Sequence, residues 1–166
     1  MPSSWIWCRL GNIFDHVAGK ALNEADKEGR LHHYITTSNL YWDNFNLENL
    51  RSMYFKDSEL EKCKVTKGDL LVCEGGDVGR AAIWDYEGEM CIQNHIHRLR
   101  PFIDLNVRFF YYTIYYYKSI GLIGGKGIGI QGLSSKALHS ILLPLPPRKE
   151  QDSIVLQIEL LFEHIK

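Results

Sequence analysis

Gly132-Leu133-Ser134-Ser135-Lys136-Ala137-Leu138, followed by Ile141-Leu142-Leu143-Pro144-Leu145-Pro146-Pro147-Arg148-Lys149-Glu150-Gln151, leads into an apolar-periodic segment that runs to Lys166. Pro146 and Pro147 are excluded from a helix interior but suit the residues just before its first turn. Glu150 and Asp152 follow, where carboxylates meet the positive end of the helix. Ile154, Ile158, Leu161 and Ile165 are then spaced 4, 3 and 4, a heptad seam flanked by Val155 and Phe162. Two readings of this helix stay open. It packs on its own domain as an amphipathic helix, or it waits for a partner helix. Upstream, Ser134 is a helix N-cap for a short helix through His139, and Leu142–Leu145 reads as a last strand.

Working outward, 166 residues with 45% hydrophobic and 23% charged content describe one domain with a sizeable core. There is neither a run of eighteen apolar residues nor a basic, then apolar N-terminus, so neither a membrane span nor a secretory signal is expected. Cys8, Cys63, Cys73 and Cys91 form no C-x-x-C pair, which points to free thiols and a cytoplasmic setting rather than a zinc site. Net charge is −1, yet it is unevenly distributed. Residues 1–89 balance to −5, residues 90–149 to +7 and residues 150–166 to −3. Sixty residues whose only carboxylate is Asp104 predict a surface suited to phosphates, unless the fold scatters these charges.

The rest of the chain mixes strand and helix signals without βαβ regularity. Leu10–Phe14 reads as a short helix, Tyr34–Thr37 as a strand, and Asn39–Asn49 as a loop rich in aromatics. Leu47–Phe55 and Asp57–Cys63 read as helical pieces. Leu70–Cys73 is a buried strand, Glu74–Arg80 a glycine-rich turn, and Ala81–Trp84 and Cys91–Leu99 further strands. Asn106–Ile120 suits either a strand by its aromatics or a helix by its length. Gly121–Gly132 is a glycine-rich loop. The expected class is α+β, with a mixed, largely antiparallel sheet and short helices.

Most chemical motifs fail. Gly127-Ile128-Gly129-Ile130-Gln131-Gly132 matches G-x-G-x-x-G, but it lies late in the chain, and Pro144, Pro146 and Pro147 break the unit that should follow. It fits a loop whose bare backbone approaches another polymer, with Lys126 available for phosphate. No Asp/Glu-x-Lys triplet suggests a nuclease, and the one Pro-Pro is followed by Arg148 rather than the aromatic of a methyltransferase loop. His95-Ile96-His97 lacks a third ligand, so a DNA-facing or surface pair on one strand face is expected instead of a metal. In the same strand, alternation sets Asn94, Arg98 and Arg100 on one side. Asn suits adenine and Arg suits guanine, while the competing role for Asn94 or Gln93 is to satisfy buried backbone. Tyr34, Tyr41 and Trp42 either lie against DNA or pack in the core.

Three blocks together carry a resemblance. The closing stretch, from Leu133-Ser134 through Pro146-Pro147 to Glu150-Gln151, looks like the block that ends a target recognition domain in the specificity subunit of type I restriction-modification enzymes. Lys67-Gly68-Asp69-Leu70-Leu71-Val72-Cys73-Glu74-Gly75-Gly76-Asp77-Val78-Gly79-Arg80-Ala81-Ala82-Ile83-Trp84 resembles the central strand-turn-strand of that domain. Pro2-Ser3-Ser4-Trp5-Ile6-Trp7-Cys8-Arg9-Leu10-Gly11-Asn12-Ile13 resembles its start. The resemblance implies a fold like the DNA methylase specificity domain, with residues 1–147 as the recognition domain and 148–166 as the start of a coiled-coil spacer helix, inside which the chain stops. It decides for a helix over Asn106–Ile120. It also implies a non-catalytic reader of one half of a bipartite duplex DNA site. No cofactor is expected in this chain, because methyltransferase (M) subunits would use S-adenosylmethionine and a restriction (R) subunit ATP and Mg²⁺. The candidate DNA-binding residues are Tyr41, Trp42, Arg80, Asn94, His95, Arg98, Lys126, Gln131 and Lys136. The candidate interface residues are Ile154, Ile158, Leu161 and Ile165, toward a second recognition domain or a weak homodimer. The readings from other classes are a small-molecule enzyme using the 121–132 loop with His95, and a helix-mediated interaction module.

Overall fold

Leu70-Leu71-Val72-Cys73 is apolar at every position, and the computed structural model shows why. It describes residues 2–124 and 133–165, the last by its backbone only. These four residues form β8 (Leu70–Cys73), a strand buried on both faces. Leu70 and Val72 point into one apolar cluster with Leu99, Phe110 and Ile114. Leu71 and Cys73 point into another with Tyr34, Phe55 and Trp84. A strand alternates its side chains, so a continuous apolar run suits only a central layer.

That layer is the sheet β2-β11-β8-β9, made of β2 (Phe14–Ala18), β11 (Ile96–Pro101), β8 and β9 (Ala81–Ile83), all antiparallel. On one side lies a second sheet of β6 (Arg51–Phe55), β3 (Arg30–Ile35), β10 (Met90–Ile92) and β7 (Lys64–Val65), in that order. Its β3–β10 pair is parallel and its other pairs antiparallel. On the other side lies α2 (Val107–Ser119), whose buried Phe109, Phe110, Tyr111, Ile114 and Tyr117 face the sheet. Beside it run the β1–β12 ribbon (Ile6–Arg9 with Leu142–Leu145), α3 (Ser135–Ser140) and α4 (Arg148–Ile165). A hairpin of β4 (Leu40–Tyr41) and β5 (Asn44–Phe45) and the short α1 (Asp57–Cys63) complete the chain. The architecture is α+β with mixed, largely antiparallel pairing and short helices, ending in a long helix.

Three local expectations change. Leu47–Phe55 is not helical, because Arg51–Phe55 alternates with Met53 and Phe55 inward and pairs with β3. Leu10–Phe14 shortens to a 3₁₀ turn at Leu10–Asn12 that runs into β2. The expected strand Cys91–Leu99 is two strands, broken at Gln93–His95 where the chain turns over Lys20. Pairing of Lys20 with both Ile92 and Asn94 moves the chain from one sheet to the other.

α4 starts where the Pro-Pro pair predicts. Its first two turns belong to the domain. The Gln151 amide accepts from the Asn106 N–H at 2.9 Å and donates to the Pro146 carbonyl at 2.8 Å, and Val155 is buried in the core. The expected seam rotates accordingly. Ile154 packs on the core cluster, and Ile158 lines an apolar groove of about 440 Å³ with Trp5, Trp7, Tyr112 and Tyr116. Of the seam residues Leu161 stays exposed, by 65%, and Leu156 and Leu160 are exposed beside it. The Ile165 side chain lies outside the described residues. Among the described residues, no helix is long and apolar enough to cross a membrane.

Candidate nucleic-acid interface

One end of the central sheet gathers the loops. β8 and β9 are joined there by Glu74–Arg80, a turn closed by Gly79 N–H to the Cys73 carbonyl (2.9 Å) and Arg80 N–H to the Asp77 carbonyl (3.0 Å). Gly76 and Gly79 have φ of +69° and +86°, a region that L side chains avoid. The space at Gly79 is also closed, since an added Cβ would sit 2.6 Å from Ile123. The Gln93–His95 turn enters β11 at the same end, and the His95 carbonyl accepts from Glu74 N–H at 2.9 Å. The β4–β5 hairpin joins them. Asn39 braces it from inside, accepting from Thr36 N–H and donating to the Asn46 carbonyl. Asp43 N–H reaches the Ala81 carbonyl at 3.1 Å, and Trp42 sets its edge against Tyr111 and Tyr115 of α2. Ile123 and Gly124, which lead into the 125–132 stretch, abut Gly79 and Val78. Leu133, which follows it, gives its carbonyl to His97.

This placement sorts the sequence-predicted residues. Tyr41 is 48% exposed, with the Arg80 guanidinium 5.4 Å from its ring centre. His95 is exposed and Asn94 half-buried in the turn beside it. Trp42 is half-buried on α2, so its ring serves packing. Lys136 is exposed in the first turn of α3. Lys126 and Gln131, with the rest of the G-x-G-x-x-G match, lie outside the described residues.

Arg98 is a correction. Its side chain is 4% exposed and donates to the Lys62 and Lys64 carbonyls at the end of α1 and to Asp15 at 2.9 Å. A guanidinium so engaged ties α1 to the central sheet and presents nothing to DNA. The expected one-sided set of Asn94, Arg98 and Arg100 dissolves with it, and so does the His95–His97 pair, because Asn94 and His95 lie in the turn before β11 and His97 is fully buried.

The charge asymmetry of the sequence also folds away. Arg98 pairs with Asp15, Arg100 with Asp69, Arg108 with Asp43 and Glu159, Lys118 with Asp77, and Arg148 with Asp104 and Asp152. Several of these carboxylates come from the acidic first half of the chain. Among the described residues, Lys136 and Lys149 make no ion pair.

A histidine chain, invisible in the sequence, sits behind the loops. His97 Nε2 lies 2.6 Å from the Leu133 carbonyl, and His97 Nδ1 lies 2.8 Å from His16 Nε2. A carbonyl only accepts, so His97 carries its proton on Nε2 and accepts at Nδ1 from His16. His139 stacks edge-on to His16 at 4.7 Å, and the Glu74 carboxylate stands 3.9 Å from His97. Burial, followed by His97 and His139, pushes the His16 pKa down to about 4, and burial pushes His97 down too. With both His97 nitrogens engaged, the cluster is a brace between β2, β11 and the residue that ends the 125–132 stretch. Among the described residues, no group of three His, Cys, Asp or Glu is placed to hold a metal ion.

The sequence profile of the type I restriction modification DNA specificity domain matches residues 2–165. The chain belongs to that family. Its fold is similar to the HsdS subunit from Thermoanaerobacter tengcongensis, with 22% identity and a TM-score of 0.75 over 99% of this chain and 39% of that one. A structure from work on complex assembly and conformational transition of the type I R-M system is as similar, at 21% identity and a TM-score of 0.75, over 99% of this chain and 40% of that one. The type I restriction-modification system S subunit from M. genitalium follows, at 17% identity and a TM-score of 0.58, covering 98% and 41%. The specificity domain thus spans about two fifths of the length of these solved subunits. No curated protein is significantly similar to it in sequence.

Proposed function

We propose that this specificity domain reads one half of a bipartite duplex DNA site, using loops from one end of its central sheet. The observation that carries the reading is the convergence there of the 36–46 hairpin, the 74–80 turn, the 93–95 turn and both flanks of the 125–132 stretch. Loops on a rigid sheet supply varied side chains at fixed positions, as base-edge readout needs. The chain acts without catalysis of its own. M subunits using S-adenosylmethionine and an R subunit using ATP and Mg²⁺ carry the chemistry on the bound DNA. Among the described residues, Arg9, Lys27, Arg51, Lys62, Lys136 and Lys149 are exposed and make no ion pair, so this chain and its partners share the neutralisation of phosphates. Residues 148–166 start the spacer helix, and its exposed Leu156, Leu160 and Leu161 meet a partner helix from a second recognition domain or a second copy. The enzyme reading, which relied on His95 and the 121–132 stretch, has no specific observation in its favour.

The test maps methylated bases in the source cell with and without the gene, and titrates purified protein with duplexes across a salt series. A bipartite methylation motif that disappears with the gene, and duplex binding that weakens with salt, are expected. Unchanged methylation together with salt-independent or absent duplex binding refutes the proposal.

A further inference from the structure

Arg80 differs from the domain's other well-held arginines. Arg30, Arg98, Arg100, Arg108 and Arg148 all meet carboxylates, whereas Arg80 makes no ion pair among the described residues. It is the last residue of the 74–80 turn, and its backbone is fixed on both sides. Its N–H donates to the Asp77 carbonyl, and its carbonyl accepts from Cys73 N–H at 2.8 Å. Its side chain crosses to the neighbouring hairpin. Nη2 donates to the Thr37 carbonyl at 2.6 Å, and the guanidinium faces the Tyr41 ring. Nε is buried without a partner, beside the buried Cys73 thiol.

We propose that Arg80 is a positioning residue that holds Tyr41 as the DNA-facing ring of the hairpin and takes no phosphate itself. The inference rests on the DNA-reading function proposed above. A planar guanidinium donates in its plane and stacks with its face, so one side chain grips both the start of the hairpin and the ring. A lysine ammonium is a point charge and does only one of these. Tyr41, backed on one side and exposed on the other, is a platform for stacking on a base or sugar. Trp42 and Asp43 fix the tip behind it, through α2 and Ala81.

The test compares Arg80→Ala, Arg80→Lys and Tyr41→Ala in the full chain. Hydrogen exchange of the Asn39, Asp43 and Asn46 amides needs no DNA, and it is expected to quicken in both Arg80 variants but not across the rest of the central sheet. With cognate duplex, both Arg80 variants are expected to lose about tenfold in affinity at an unchanged salt slope. Adding Tyr41→Ala to Arg80→Ala should cost little more, as for two parts of one unit. Unchanged hairpin exchange overturns the proposal. So does a salt slope about one unit lower with rescue by Arg80→Lys, which marks a direct phosphate contact, and so does full affinity in a loosened hairpin. If the wild-type chain binds no duplex, the DNA-reading function fails and this inference with it. That outcome is recognised because it appears before any substitution is made.

Discussion

The histidine chain around the buried His97 makes acid sensitivity the sharpest test of the fold behind the loops. His16 has a folded pKa of about 4 against an ordinary value of 6.5, and burial lowers His97 as well. A depressed imidazole pKa means that the fold favours the neutral ring. The unfolded chain therefore takes up protons that the folded chain refuses, and stability falls as pH drops below 6.5. At about pH 5 the unfolded His16 is almost wholly protonated and the folded one still mostly neutral. That difference of about 1.5 pH units is worth about 2 kcal/mol. Solvent access to the half-buried ring brings it to about 1 kcal/mol. His97 adds in the same direction, since protonating Nδ1 would set a proton against the His16 N–H. The facing groups are His139, Glu74, Asp15 and Arg98. The lowered carboxylates Asp26, Glu59 and Asp152 titrate below this window. Urea unfolding at about pH 7.5 and about pH 5 should show the midpoint falling by roughly 0.5 M, given a slope of about 2 kcal/mol per molar. His16→Gln keeps an N–H for His97 Nδ1 and removes one titration, so its midpoint should fall less. A wild-type midpoint that stays flat to about pH 5, or an equal fall in His16→Gln, refutes the reasoning.

Two further outcomes are expected. Arg100→Ala should destabilise the domain by about 2–4 kcal/mol in urea unfolding, because the buried Asp69 carboxylate keeps only Thr66 after losing two donors from Arg100. Leu161→Lys should leave the melting temperature within about a degree while weakening any helix-mediated association, whereas Ile158→Lys should lower it by several degrees by charging the apolar groove against Trp5 and Tyr112.

Where the readings failed, the cause was a contact distant in sequence. Met53 and Phe55 carry a strand alternation, but a short apolar segment is ambiguous until a neighbour such as β3 offers its hydrogen bonds. Alternation sets Arg98 and Arg100 on one face of β11, but which face meets solvent depends on what packs there, and α1 covers Arg98 through the Lys62 and Lys64 carbonyls. The heptad seam was real as a pattern, yet Gln151 and Val155 anchor α4 to the domain and leave Leu156, Leu160 and Leu161 outermost. No spacing rule relates His16, His97 and Leu133, because the antiparallel pairing of β2 with β11 alone brings the two rings together.

What the chain determines by itself is local and punctuated. Ser134 caps α3, the Pro146-Pro147 pair starts α4, the glycines of 74–80 make a turn, and four apolar residues at Leu70–Cys73 demand a layer on each side. These follow from backbone sterics and side-chain alternation, which act over a few residues. Family membership is legible for the same reason, since three such blocks recur in order. Charge is different. The +7 of residues 90–149 is a property of the sequence, but whether it becomes a surface was decided only in three dimensions. Asp15, Asp43, Asp69 and Asp77 come from the acidic first half, and packing sets them against the arginines and Lys118 of the second. Coulomb interaction depends on distance in space, and chain separation holds no information about that distance until the fold exists.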